Sequence, residues 1–158
     1  MGISIKNNFS KISIDIQGKC DKLKNMKPVM ERIAKDMKKE SDLNFRNSKG
    51  PDGVKWKELS TLTKTLRKNG GEKPLLDTGM NLKRNIHPYS TNTQAIIGTN
   101  VKFAPIHQFG GTIKPRKGKA LKFGKNIRTS VIIPARPYLG VNQRMNEKYR
   151  KWVVEWIK

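Results

Sequence analysis

The chain has 158 residues, enough for one domain with a real core, and its 34 Lys and Arg against 12 Asp and Glu give a net charge of +22. A single cysteine, Cys20, excludes an internal disulfide and a cysteine-based zinc site, and no apolar run reaches the roughly 18 residues of a membrane span. The charge predicts a polyanion or an acidic protein as partner, although abundant Lys, Asn and Ile are also what an AT-rich genome produces without selection for phosphate binding.

The N-terminal third is predicted to contain strands and then a long helix. Isoleucines alternate with polar residues between residues 3 and 16, and period two predicts one or two half-buried strands within residues 1–20. From Leu23 the apolar residues recur at spacings of three and four, with Lys and Arg on the opposite face. This spacing predicts an amphipathic helix over residues 23–47, with Pro28 in its first turn.

Residues 50–111 are predicted to form a loop-rich core that contains one β-hairpin. Glycine and proline over residues 50–53 indicate a loop, and Ser60 is expected to cap a short helix that ends near Leu66. Two strands are predicted over residues 86–89 and 94–99, joined by a polar turn.

A corner is predicted at residues 103–111, after the hairpin. A short helical turn beginning at Pro105 would place Ile106 and Phe109 on one face, where we expect both side chains to anchor the corner. Gly110 and Gly111 then allow the positive φ that ends the helical turn and changes the direction of the chain.

A long basic β-hairpin arm is predicted over residues 112–133. Its first part is rich in Lys and Gly, and residues 127–133 are strongly β-prone, so the pattern predicts a hairpin with a flexible basic tip. Such a tip suits contact with a neighbouring subunit or with DNA, and a solvated loop is an equally open alternative. The candidate contacts are Lys114, Arg116, Lys117, Lys119, Lys122, Lys125 and Arg128.

The C-terminal part is predicted to be an extended connector followed by a second amphipathic helix. Two prolines restrict residues 134–140 to an extended conformation. Apolar residues three or four apart then predict a helix over residues 141–158. Trp152 and Trp156 lie on the same stripe, which fits either the core of this domain or an interface with a neighbouring subunit. The core interpretation is favoured for Trp152, and neither is favoured for Trp156, which is close to the helix end.

The sequence suggests no catalytic, metal or cofactor constellation, and a carboxylate dyad assembled in space from distant acids is left open. Neither His87 nor His107 has another ligand within a helical turn, so a zinc site is not expected and His107 is interpreted as a packed polar residue. The pattern of a phosphate-binding loop is not matched, because Ala120 occupies the position that requires Ser or Thr. Phe123 is the single aromatic residue in the arm, so any DNA contact is expected to be sequence-independent and salt-sensitive.

Four segments resemble, in their order and spacing, the phage virion morphogenesis (tail completion) proteins of Mu-like and related tailed phages. They lie within residues 51–63, 75–82, 97–110 and 133–140, so the resemblance covers about residues 45–141. Phe103 is a departure, because the family usually has Tyr there. The residues that carry the motif are Trp56, Leu76, Gly79, His107, Phe109, Gly110, Pro134, Arg136, Pro137, Tyr138 and Leu139.

The patterns together predict a single α+β domain over residues 1–158, with a small, mainly antiparallel sheet packed by two amphipathic helices. The resemblance implies a structural virion protein and not an enzyme, made in the cytoplasm of a bacterial host and located at the head–tail junction. It implies a ring, usually a hexamer, between the capsid connector or neck proteins and the tail tube protein, with packaged DNA passing through the lumen and no membrane contact. The alternative is a sequence-independent nucleic-acid-binding protein.

Overall fold

The computed structural model describes residues 9–67, 71–76, 82–116, 118–123 and 125–158. Its helices are α1 (Phe9–Lys24), α2 (Lys27–Asn47), α3 (Thr61–Leu66), α4 (Ala104–Phe109) and α5 (Gln143–Ile157), and a 3-10 turn spans Lys83–Asn85. Its strands are β1 (Ile86–Ser90), β2 (Ala95–Thr99), β3 (Gly111–Ile113), β4 (Leu121–Phe123), β5 (Asn126–Arg128) and β6 (Val131–Ile133). Helices and small antiparallel sheets confirm the predicted α+β class. Within these residues no helix is both long and apolar enough to cross a membrane.

The prediction of N-terminal strands is wrong for residues 9–16, which belong to helix α1, while residues 1–8 lie outside the described part. The isoleucines that suggested alternation also fit a helical spacing, since Ile12, Ile16 and Leu23 are four and seven residues apart. The alternating residues also do not separate into a buried and an exposed face, because Ile14 is 73% and Ile16 56% exposed.

The long helix predicted over residues 23–47 is confirmed as α2, although residues 23 and 24 belong to α1. Pro28 occupies the first turn, where its missing N–H leaves no helical hydrogen bond unmade. Ser48 ends the helix in the left-handed conformation, with φ of 51°. The buried face carries Val29, Ile33 and Phe45, so α2 runs along the whole core.

The core consists of two clusters that share α2. The first contains Phe45, Trp56, Leu82, Ile86, Ala104 and Tyr138. The second joins the start of α2 to α5 and contains Met26, Val29, Ile33, Met145 and Tyr149. Salt bridges reinforce this second contact, because Lys148 of α5 lies 2.5 Å from the carboxylate of Asp36 and 3.4 Å from that of Glu40. Of the two predicted amphipathic helices, α2 packs on the β1–β2 sheet, and α5 packs on α2 and α1.

The predicted hairpin is confirmed as β1 and β2, which pair antiparallel from Ile86 opposite Thr99 to Ser90 opposite Ala95. Its inner face packs on α2, where Ile86 is buried and Ile97 is partly buried against the first cluster. The predicted short helix is also present as α3, and the Ser60 hydroxyl accepts a hydrogen bond from the Thr63 N–H as expected of a cap.

The basic segment forms two short ladders, and the predicted long continuous hairpin is not confirmed. β3 pairs with β6 next to the body, and β4 pairs with β5 farther along the chain. The strand expected over residues 127–133 is interrupted, because residues 129 and 130 separate β5 from β6. We refer to residues 111–133 as the arm.

Candidate functional site

The extended segment at residues 134–140, which we call the connector, is held by side chains from distant parts of the chain. Gln108 of α4 makes three of these hydrogen bonds. Its Nε2 donates to the Leu139 carbonyl at 2.8 Å, and its Oε1 accepts from the Tyr138 N–H at 3.0 Å and the Leu139 N–H at 3.1 Å. One amide thus satisfies the backbone of two consecutive residues, as a neighbouring strand would.

Two further side chains bind connector carbonyls. The indole N–H of Trp56 donates to the Pro137 carbonyl at 2.8 Å, and Nδ2 of Asn44 donates to the Tyr138 carbonyl at 3.2 Å. The Tyr138 ring lies 5.3 Å from Phe45, and its hydroxyl donates to the Ala104 carbonyl at 3.3 Å. Burial raises the pKa of Tyr138, so the hydroxyl stays a neutral donor.

Arg136 is a buried cation, only 5% exposed, that ties the connector to the loop before α3. Its Nε donates to the Lys57 carbonyl at 2.8 Å and its Nη2 to the Glu58 carbonyl at 2.9 Å. No carboxylate pairs with it among the residues that the structure describes. Burial, and then the charge of Arg67, lower the pKa of the guanidinium. The planar fork of Arg is what allows one side chain to bind two consecutive carbonyls.

His107 is packed inside this network, consistent with its interpretation as a packed polar residue. Its ring meets Phe103 edge-on with centroids 5.8 Å apart, and its Nδ1 is buried without a hydrogen-bond partner. Burial, with the nearby Arg136 charge, lowers the pKa of His107, so the imidazole is neutral at pH 7. Its backbone carbonyl accepts the Arg136 N–H at 2.8 Å. Across the described ranges, no group of three or more His, Cys, Asp or Glu is placed to hold a metal ion.

The corner at α4 differs from its prediction in one respect. Ile106 is half-buried, but Phe109 is 78% exposed, so the expectation that both anchor the corner is wrong for Phe109. Ala104 supplies the buried contact instead, because the turn is only six residues long and its first residue is the one that faces the core. Gly110 has a φ of 72°, as predicted, and a Cβ there would lie 2.7 Å from the Ala135 nitrogen.

Of the remaining motif residues, most lie around the connector. Leu76 and Leu139 are partly buried against the first cluster, Pro134 and Pro137 are half-buried, and Gly79 lies outside the described residues. The structure therefore brings Trp56, His107, Arg136 and Tyr138 into one network, although they are up to 82 positions apart in the sequence.

The arm is exposed and presents both positive and apolar side chains. Ile127 is 68% exposed and Ile132 78% exposed, and Ile113 of β3 is 37% exposed. No ion pair occupies the arm's described basic residues, and Lys117 lies outside the described part. The exposed basic residues are Lys114, Arg116, Lys119, Lys122, Lys125 and Arg128.

The two tryptophans of α5 pack within their own chain. Trp152 and Trp156 are both half-buried against the second cluster. The guanidinium of Arg32 lies 3.9 Å from the centre of the Trp152 ring, and the Trp156 N–H donates to the Lys22 carbonyl at 3.3 Å. A role of their outer edges in a subunit interface stays a prediction.

Sequence reasoning missed the amides that hold the connector. Gln108 and Asn44 have no distinctive spacing. A third amide that was missed, Asn142, lies just after the connector, where it caps α5 through the Met145 N–H and donates to the Pro51 carbonyl at 2.8 Å. The cap was the one part visible in the sequence, since Asn directly precedes the apolar period of α5.

Comparison with known proteins gives a consistent result. The chain matches the phage virion morphogenesis family over residues 8–158. It is 33% identical over 133 residues to Mu-like prophage FluMu G protein 2 of Haemophilus influenzae, an alignment that covers 84% of this chain and 79% of that protein. No solved structure matches the chain significantly.

Proposed function

We propose that this chain, which belongs to the phage virion morphogenesis family, is a neck subunit that completes the tail by forming a ring between the capsid connector and the tail tube. Family membership makes it a phage virion assembly protein that interacts with other virion proteins. The ring, its sixfold symmetry, the tail tube contact and the head–tail location are the proposal. Packaged DNA would pass through the lumen without sequence-specific contacts.

The observation that supports this proposal best is the exposed apolar surface of the arm. Ile127 and Ile132 are more than two-thirds exposed, although burying a large aliphatic side chain away from water is energetically favourable. The arm is followed directly by the connector, and the hydrogen bonds that hold the connector therefore fix the base of the arm relative to the rest of the domain. A head-to-tail ring needs two different patches on each subunit, and an arm that leaves the body provides one of them.

Measuring the mass of the assembly in solution tests the ring. Light scattering after gel filtration should give a multiple of the 18.0 kDa chain, either for the protein alone or after addition of tail tubes. Labelling the subunit in purified phage particles should place it at the head–tail junction. A protein that stays monomeric with tail tubes, and is absent from assembled particles, would contradict the proposal.

A second candidate function is sequence-independent binding of nucleic acid. The observation that favours it is the exposed set of six described basic side chains on the arm, which has no ion-pair partner within the described residues. Neutralised phosphates release counterions, so binding to duplex DNA should weaken steeply as salt rises.

Replacing Lys114, Arg116 and Lys119 together with serine tests this function. If the arm binds phosphates, the slope of log affinity against log salt should become shallower by about 0.9 for each phosphate that the variant no longer neutralises.

The control removes two exposed lysines and one exposed arginine from α2, leaving the same net charge. It carries serine at Lys27, Lys39 and Arg46. If the arm variant and the α2 control bind duplex DNA with equal affinity, the net charge of the protein, and not the arm, is responsible for the binding. Ring assembly that survives while duplex binding disappears would show that DNA binding is incidental to assembly.

A further inference from the structure

The β1–β2 hairpin lies in the least charged part of a strongly basic chain. Residues 85–101 contain no Asp, Glu, Lys or Arg, although 29% of the chain is charged and about five such residues would be expected in a run of that length. Edge strands of soluble proteins are commonly guarded by charged side chains, above all Lys, that prevent pairing with another chain. In a protein with 34 Lys and Arg, their absence from this hairpin is informative.

The hydrogen-bond pattern shows which edge of the hairpin is open. The Thr91 N–H donates to the Gln94 carbonyl at 2.9 Å, which makes these two residues a hydrogen-bonded pair. Such pairs alternate with non-hydrogen-bonded pairs along an antiparallel ladder. Counted from the turn, the second, fourth and sixth pairs therefore direct their N–H and C=O groups outward, and on β2 these groups belong to Ala95, Ile97 and Thr99.

The outer edge of β1 is closed by a proline. Pro88 lies opposite Ile97, in one of the outward-facing pairs, so the N–H that proline lacks would have pointed away from β2. The outer edge of β2 has no such block. The sheet contains two strands, and among the described residues no other strand pairs with that edge. The hairpin is thus able to accept one more strand, on the β2 side.

The outer face beside this edge is also uncovered. Tyr89 and Ile96 are directly opposite each other and are 64% and 42% exposed. Next to them, a Cβ built on Gly98 would have nothing within 4 Å. We define the docking edge as the outward backbone of β2 together with the Tyr89 and Ile96 side chains. It is uncharged and partly apolar, which suits pairing with a β-strand.

We infer that the docking edge receives the return strand of the arm, residues 126–133, from a second copy of this chain. That segment contains β5 and β6, each only three residues long and each in a two-stranded ladder, an arrangement that is marginally stable alone. It carries the two most exposed isoleucines of the arm, Ile127 and Ile132. Pairing with β2 would give these strands a further ladder and cover their apolar side chains.

Electrostatics favours the hairpin as the place where two copies meet. Two molecules of charge +22 repel each other, and a basic arm placed on α1, α2 or α5 would face further Lys and Arg. On residues 85–101 it meets none. The inference rests on the proposed ring: each subunit would extend an arm to one neighbour and accept an arm from the other, which is a head-to-tail contact able to close.

The substitution Ile96→Lys tests the docking edge. It places one positive charge on the outer face, where the wild-type side chain makes no core contact, so the circular dichroism spectrum should not change. The variant should elute as a single 18.0 kDa chain under conditions in which the wild type forms multimers. Ile14→Lys is the matched control, since Ile14 is 73% exposed on α1, and it should assemble like the wild type. Normal assembly of the Ile96→Lys protein would overturn the inference.

Photo-crosslinking identifies the occupant directly. Tyr89→p-benzoylphenylalanine protein is mixed with ¹⁵N-labelled wild type, assembled, irradiated and analysed by mass spectrometry, so that bonds between copies join one light and one heavy peptide. We expect these bonds to fall on residues 126–133. Bonds to any other segment in an intact ring would overturn the docking edge while leaving the ring in place. A wild type that never assembles, with or without tail tubes, would overturn both.

Discussion

Replacing Gln108 with leucine should destabilise the whole domain, because one side chain holds the connector through three hydrogen bonds. Its amide donates to the Leu139 carbonyl and accepts the Tyr138 and Leu139 N–H groups, at 2.8 to 3.1 Å. Leucine has nearly the same volume but can neither donate nor accept. The substitution therefore removes polar contacts while leaving the packing of α4 largely unchanged.

The expected destabilisation follows from the number of groups left without a partner. A hydrogen bond contributes on the order of 1 kcal/mol net to stability, and a buried group left unsatisfied costs about 1–3 kcal/mol. Three bonds at about 1 kcal/mol each give about 3 kcal/mol in total. Gln108 is half-buried, so some hydration will occur, and we expect a decrease of about 2–3 kcal/mol in the free energy of unfolding.

Urea unfolding followed by tryptophan fluorescence measures this decrease, since Trp56 donates to the same connector. Gln143→Leu is the control, because Gln143 is exposed on α5 and its side chain bonds to the nearby Glu147 carboxylate at 3.2 Å. The control should stay within about 0.5 kcal/mol of the wild type. If Gln108→Leu were equally mild, the connector would not be held by this amide and the reasoning would be refuted.

Two further predictions concern the same region. Gly110→Ala should cost more than about 2 kcal/mol, because the residue has a φ of 72° and the new Cβ would lie 2.7 Å from the Ala135 nitrogen, whereas Gly98→Ala, which meets nothing within 4 Å, should change the melting temperature little. Burial lowers the pKa of His107 below the ordinary 6.5, so its contribution to stability should be complete above pH 6.5 and fall as the pH drops, when the unfolded chain binds a proton that the native state resists. Urea midpoints between pH 7 and 5 should show a smaller decrease for His107→Gln than for the wild type; equal decreases in the two proteins would contradict this assignment.

Elements with a strong local period could be predicted from the sequence. The apolar spacing of α2 and α5, the paired strands around residues 90–94 and the Ser60 cap all depend on contacts between residues close in the chain. α1 was mispredicted because its isoleucines fit two periods, and a strand needs a partner strand that the sequence does not reveal. Phe109 was misplaced because the spacing within a six-residue turn does not determine which side faces the core.

The order of the motifs was enough to indicate the family, and the charge and the single cysteine were enough to restrict the kinds of site. The connector network was decided only by the tertiary structure, because its hydrogen bonds join residues that are about 30 to 94 positions apart and leave no regular spacing. The open edge of β2 was also hidden, although the uncharged run and Pro88 were both visible in the chain. Which edge of a strand is free depends on the register of its ladder, and the register becomes known only when both strands are in place.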